Sequence, residues 1–143
     1  VPAEVVFYVL SSHSQQQQQD FVCKLIEKIY RSEQFCYVLV DSDQQAEQLD
    51  KLLWTFRAAS FIPHQIYRES LPDFERTILI GKDAIPDAWQ SLIVNLSTSY
   101  PPLKTEGQRI LEILDSSEES RQAGRERYRH YQNCGVTITT HKL

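Results

Sequence analysis

Apolar residues along this chain fall into two rhythms, unbroken short runs and helical repeats, and these alternate from one end to the other. Residues 4–10 (EVVFYVL) are β-branched or aromatic at most positions and predict a strand. The polar stretch 11–20 follows, with five consecutive glutamines at 15–19, and reads as a loop passing into a polar helix start. Phe21, Val22, Leu25, Ile26, Ile29 and Tyr30 then recur at helical spacing, so one face of that helix is expected to be buried. Residues 35–40 (FCYVLV) are apolar throughout, the pattern of a strand covered on both faces in a parallel sheet. Ser42 and Gln45 fit a capping box, and Ala46, Leu49, Leu52 and Leu53 give the next helix its apolar face. Residues 77–80 and 92–96 are two further candidate strands. Residues 110–114 (ILEIL) suit a strand or a short helix, and periodicity does not choose between them. Ser116 and Glu119 form a second capping box, opening a helix to about Gln132, with Asn133 and Gly135 as stop signals. Residues 136–140 (VTITT) read as a last strand. Strand, helix, strand, helix, several strands, helix, strand is the order of one α/β domain over residues 1–143 with a largely parallel, Rossmann-like sheet.

Composition agrees with a globular reading. With 143 residues, 41% of them hydrophobic and 24% charged, the chain suits one domain with a real core, and disorder throughout is excluded. The longest apolar runs reach five or six residues, too short to span a membrane as a helix. No signal peptide is read in residues 1–10, which carry Glu4 and lack a basic start. Cys23, Cys36 and Cys134 are odd in number and far apart, without metal spacing, as expected of reduced thiols in a cytoplasmic protein. Charge is unevenly spread. Residues 121–143 carry five basic side chains against one acidic, a net of +4, while the remaining 120 residues carry 10 basic and 18 acidic groups, a net of −8. The acidic body disfavours direct nucleic-acid binding, and the basic end favours a local acidic partner.

Candidate chemistry is sparse. Only Gly81, Gly107, Gly124 and Gly135 are present, and none follows the first strand, where Ser11-Ser12-His13-Ser14 stands instead. No GxGxxG or GxxxxGK[ST] exists, so the sheet lacks the glycine loop that lets a backbone approach a pyrophosphate. Ser12, Cys23 or Cys36 could be paired on paper with His13 or His64, yet no local signature of a nucleophile supports this. No spacing of His, Cys, Asp or Glu suits a metal. Neither a catalytic residue, a metal nor a cofactor is therefore expected, with a nucleotide-binding or hydrolytic α/β enzyme as the alternative.

Two clusters stand out. Trp54, Phe56 and Phe61 crowd a helix end and the proline-bearing segment Phe61-Ile62-Pro63-His64. They could close the core or face a partner, and the residues alone leave these readings level. Arg121, Arg125 and Tyr128 stand at i, i+4 and i+7, so they share one helix face. Two guanidinium groups beside a tyrosine ring suit a peptide with an acidic, aromatic end. A solvated helix whose arginines pair with Glu118, Glu119 and Glu126 is the other reading. Gly124, inside the same helix, could leave room for a partner's backbone.

The chain resembles the chi subunit of bacterial DNA polymerase III holoenzyme over essentially its full length. The resemblance rests on Phe7-Tyr8-Val9-Leu10, on Leu49-Asp50-Lys51-Leu52-Leu53-Trp54 with Ser60-Phe61-Ile62-Pro63-His64, and on Arg125-Glu126-Arg127-Tyr128 followed by Tyr131. It implies a three-layer α/β/α fold and a non-catalytic accessory subunit of the clamp-loader complex. It also implies two partners. The small psi subunit would meet the aromatic pair Trp54 and Phe61. The acidic C-terminal tail of single-stranded DNA-binding protein (SSB), which ends in Asp-Asp-Ile-Pro-Phe, would meet Arg121, Arg125 and Tyr128. A helicase that competes with psi is a further partner the resemblance implies. Residues 65–90 match weakly, and the glutamine run has no counterpart role.

Overall fold

Among the described residues, seven strands build a single sheet, and each pairing between them is parallel. The computed structural model describes residues 3–12, 14–56, 61–82, 84–104 and 106–143; His13 and Ser60 lie outside them. The strands are β1 (Glu4–Val9), β2 (Tyr37–Leu39), β3 (His64–Ile66), β4 (Ile78–Gly81), β5 (Leu92–Asn95), β6 (Arg109–Leu114) and β7 (Thr137–Lys142), and the helices are α1 (Gln15–Arg31), α2 (Asp43–Thr55) and α3 (Glu118–Asn133). A short tight helical turn, Asp87–Trp89, lies between β4 and β5. The spatial order is β3-β4-β2-β5-β6-β1-β7, which sets β1 between the last two strands of the chain. No described helix is long and apolar enough to cross a membrane.

Alternation along each strand divides the core between two faces. On one face α1 and α2 bring Val22, Ile26, Ile29, Ala46, Leu49 and Leu53 onto Val6, Val38, Ile80, Val94 and Leu111. On the other, Trp89 and Tyr131 cover Val5, Phe7, Leu79, Ile93 and Ile110. These are the three layers expected of a parallel sheet with helices on both sides. The Trp89 indole is satisfied inside the core, donating to the Thr77 carbonyl at 2.8 Å.

Local detail settles one open point of the sequence reading and departs from it at three places. Residues 110–114 resolve as strand, part of β6. The short strand β3, with sequence HQI, carries no apolar alternation and was not expected. The glutamine run is helical in full, because α1 begins at Gln15 behind the cap Ser14 and glutamine is a good helix former. The cap of α3 is Ser117, not Ser116: Ser117 Oγ accepts from the Ser120 N–H at 3.2 Å, and Ser120 Oγ accepts from the Asp115 N–H at 3.0 Å. A serine thus fills the position where the capping box was assigned to Glu119. By contrast, the Ser42 cap of α2 forms as expected, accepting from the Gln45 N–H at 3.1 Å.

Candidate functional site

α3 crosses the sheet above β6 and β7 and starts at their carboxyl ends. Its docking is fixed by a buried polar cluster. Glu112, in the middle of β6, is fully buried and faces Arg127 from α3, which is 4% exposed. Arg127 Nε donates to Glu112 Oε1 at 3.0 Å; Tyr131 Oη at 2.5 Å and Asn95 Nδ2 at 3.0 Å donate to Glu112 Oε2. Burial pushes the Glu112 carboxyl up, while the Arg127 charge and the three donors pull it back down. Burial and the neighbouring Glu112 likewise push the Tyr131 hydroxyl up. With Arg127 and Tyr131 turned inward, helical periodicity turns Arg121, Arg125 and Tyr128 toward the carboxyl edge of the sheet.

There the three side chains line one groove of about 530 Å³. Its apolar floor is Phe7, Val9 and Leu10 from β1 and its end, with Leu114 from β6. Thr140, Lys142 and Leu143 close the β7 side. Tyr128 is half-buried, its ring 5.5 Å from that of Phe7. Arg125 pairs with Glu118 at 3.1 Å, as the solvated-helix reading anticipated for this arginine. Arg121 is exposed and has no ion pair among the described residues. A cationic rim over an apolar floor, at the carboxyl ends of parallel strands, is an arrangement that takes a short acidic ligand with an apolar end.

Gly124 corrects one expectation. A Cβ there would collide with Leu114 Cδ1, so the missing side chain admits the chain's own Leu114 rather than a partner's backbone. Sequence reasoning missed Lys142, Leu114 and Phe7 as groove residues. Their convergence depends on β1 pairing with β6 and β7, which local periodicity does not encode.

The aromatic cluster splits. Leu53 is buried, and Leu52 and Phe56 pack against the core. Trp54 and Phe61 are 56% and 64% exposed and lie against each other with centroids 5.6 Å apart. His64 packs against Trp54, its ring 4.7 Å away. Its Nδ1 lies 2.7 Å from the Ile62 carbonyl oxygen, within its own segment, and its Nε2 lies 3.2 Å from that of Asp50 in α2, which ties the start of β3 to that helix. Among the described residues, no group of three or more His, Cys, Asp or Glu converges as a metal site. The aromatic pair and the groove lie at opposite edges of the sheet, one beside β3 and the other beside β7.

Residues 3–139 match the family model described as DNA polymerase III chi subunit, HolC. The chain is similar to the DNA polymerase III subunit chi of Pseudomonas aeruginosa, at 30% identity over 139 residues covering 97% of this chain and 96% of that protein. It is also similar to the proteins of the same name from Escherichia coli, 23% identical with 85% and 83% covered, and Haemophilus influenzae, 23% identical with 96% and 95% covered.

Proposed function

The chain belongs to the DNA polymerase III chi subunit family, and from that membership we propose that it is a two-faced adaptor working in the cytoplasm during replication. As a chi subunit it is an accessory component of the polymerase with no catalytic activity of its own, which sets aside the enzymatic alternative. One face would hold the acidic tail of SSB. The observation that carries this is the convergence of Arg121, Arg125 and Tyr128 on one groove with an apolar floor. Arg125 receives the terminal carboxylate, Tyr128 walls the pocket for the terminal phenylalanine, and Arg121 steers the acidic residues before it. Lys142 adds positive charge from the opposite wall. The other face, with Trp54 and Phe61, buries apolar surface against psi, and a helicase that competes with psi would use the same aromatics. Two exposed aromatic rings in contact, one of them packed on His64, form an anchor that costs little entropy to bury. Joined in one chain, the faces raise the local concentration of the polymerase on SSB-coated template.

Calorimetry with a peptide ending in Asp-Asp-Ile-Pro-Phe tests the groove. Arg125→Ala should weaken binding by about 2 kcal/mol or more, and wild-type affinity should fall as salt rises. Unchanged affinity in Arg125→Ala removes the carboxylate clamp. Co-purification with psi tests the other face, and a folded Trp54→Ala that retains psi fully would exclude Trp54 as an anchor.

A further inference from the structure

Arg125 already holds a carboxylate, and that carboxylate comes from its own helix. One terminal nitrogen of the guanidinium donates to Glu118 Oε1 at 3.1 Å and to Gln122 Oε1 at 2.9 Å. Its remaining N–H groups have no partner among the described residues. At about 100° per residue, Glu118 and Gln122 lie on the side of α3 away from Gly124 and Tyr128, with Arg125 between the two sides. Neither Glu118 nor Gln122 lines the groove, whereas Arg125 does. The arginine is therefore shared between the groove and an acidic neighbour outside it.

Resting on the reading of this groove as a site for an acidic tail, we infer that Glu118 is an internal competitor of the ligand carboxylate and sets the affinity of the groove. Glu118 grips one guanidinium nitrogen from an 82% exposed side chain, and such a surface pair is weak. A free terminal carboxylate that forks over two N–H edges has the stronger geometry and displaces it. The exchange trades one carboxylate for another at Arg125, so binding registers only the difference between them. Two consequences follow from that exchange. Wild-type affinity lies below what the same arginine would give unpaired. Its salt dependence is also shallower, because salt weakens the internal pair and the ligand pair together.

Fluorescence anisotropy of a labelled peptide ending in Asp-Asp-Ile-Pro-Phe, titrated with the full chain and its variants, reads this directly. Glu118→Gln should bind about 1.5- to 5-fold tighter at low salt, the range expected for loss of an exposed pair. The gap to wild type should close as salt is raised. Glu119→Gln is the control: it removes the same charge from the same first turn, with equal loss of support for the helix dipole, but Glu119 has no ion pair among the described residues. Its gain should be clearly smaller. If wild type binds and Glu118→Gln binds no tighter than Glu119→Gln, Glu118 is not a competitor and the groove assignment stands. If neither wild type nor Glu118→Gln binds the peptide, the groove assignment falls and this inference falls with it.

Discussion

Gly124 packs where α3 meets β6, and the residue on the other side of that contact is Leu114, which also floors the groove. Alanine there would gain about 1 kcal/mol of helix propensity, yet overpacking a fitted contact costs about 1–3 kcal/mol. Gly124→Ala is therefore expected to melt at a lower temperature and, by pushing Leu114 into the groove, to bind the acidic peptide more weakly. Thermal denaturation and peptide titration of the same variant check both. The cysteines allow a second prediction at this scale. Burial pushes the Cys36 thiol up to about 12, and burial with the nearby Asp20 charge pushes Cys23 up to about 11, whereas Cys134 is exposed. Ellman's reagent at pH 8 should titrate one thiol in the native chain and three after denaturation. Because an unfolded thiol ionises near pH 9 and these two remain protonated when folded, stability should fall as pH rises above about 9 toward 11 or 12.

At the scale of elements, α3 depends on an ion pair that faces away from the groove it shapes. Removing one member of a buried pair costs about 3–5 kcal/mol, since the other charge is left without compensation. Arg127→Met should therefore destabilise the fold strongly, and Glu112→Gln combined with Arg127→Met should recover part of the loss in chemical denaturation. The sign of the pH effect follows from the raised Glu112 carboxyl: without Arg127 it rises further, so the penalty should shrink as pH falls and grow as pH increases. This docking was only partly legible in the chain. The i, i+4, i+7 spacing of Arg121, Arg125 and Tyr128 revealed their shared face, and the unbroken apolar run 35–40 revealed a strand covered on both sides. Arg127 read simply as one more cation of a basic helix, because its partner lies 15 residues away on a strand whose identity periodicity left open. β3 was invisible for a different reason: its three half-buried residues take their order from β4 and from the fixed ring of His64, both tertiary effects.

For the whole molecule, the sheet separates the two surfaces: Trp54 and Phe61 lie beside the β3 edge with α2, and the groove lies beside the β7 edge with α3. Sites this far apart with no shared contacts should behave additively. Trp54→Ala should leave the peptide dissociation constant within about twofold of wild type, and Arg125→Ala should leave psi co-purification intact. The strand order that creates this separation also bears on how the protein is made. Both neighbours of β1, the strands β6 and β7, are translated more than 100 residues after it. No hairpin offers β1 an early partner, and long-range parallel pairings form slowly. One edge of β1 must therefore wait for β6 and the other for β7, so the groove proposed for the acidic tail cannot close before Lys142 has been made.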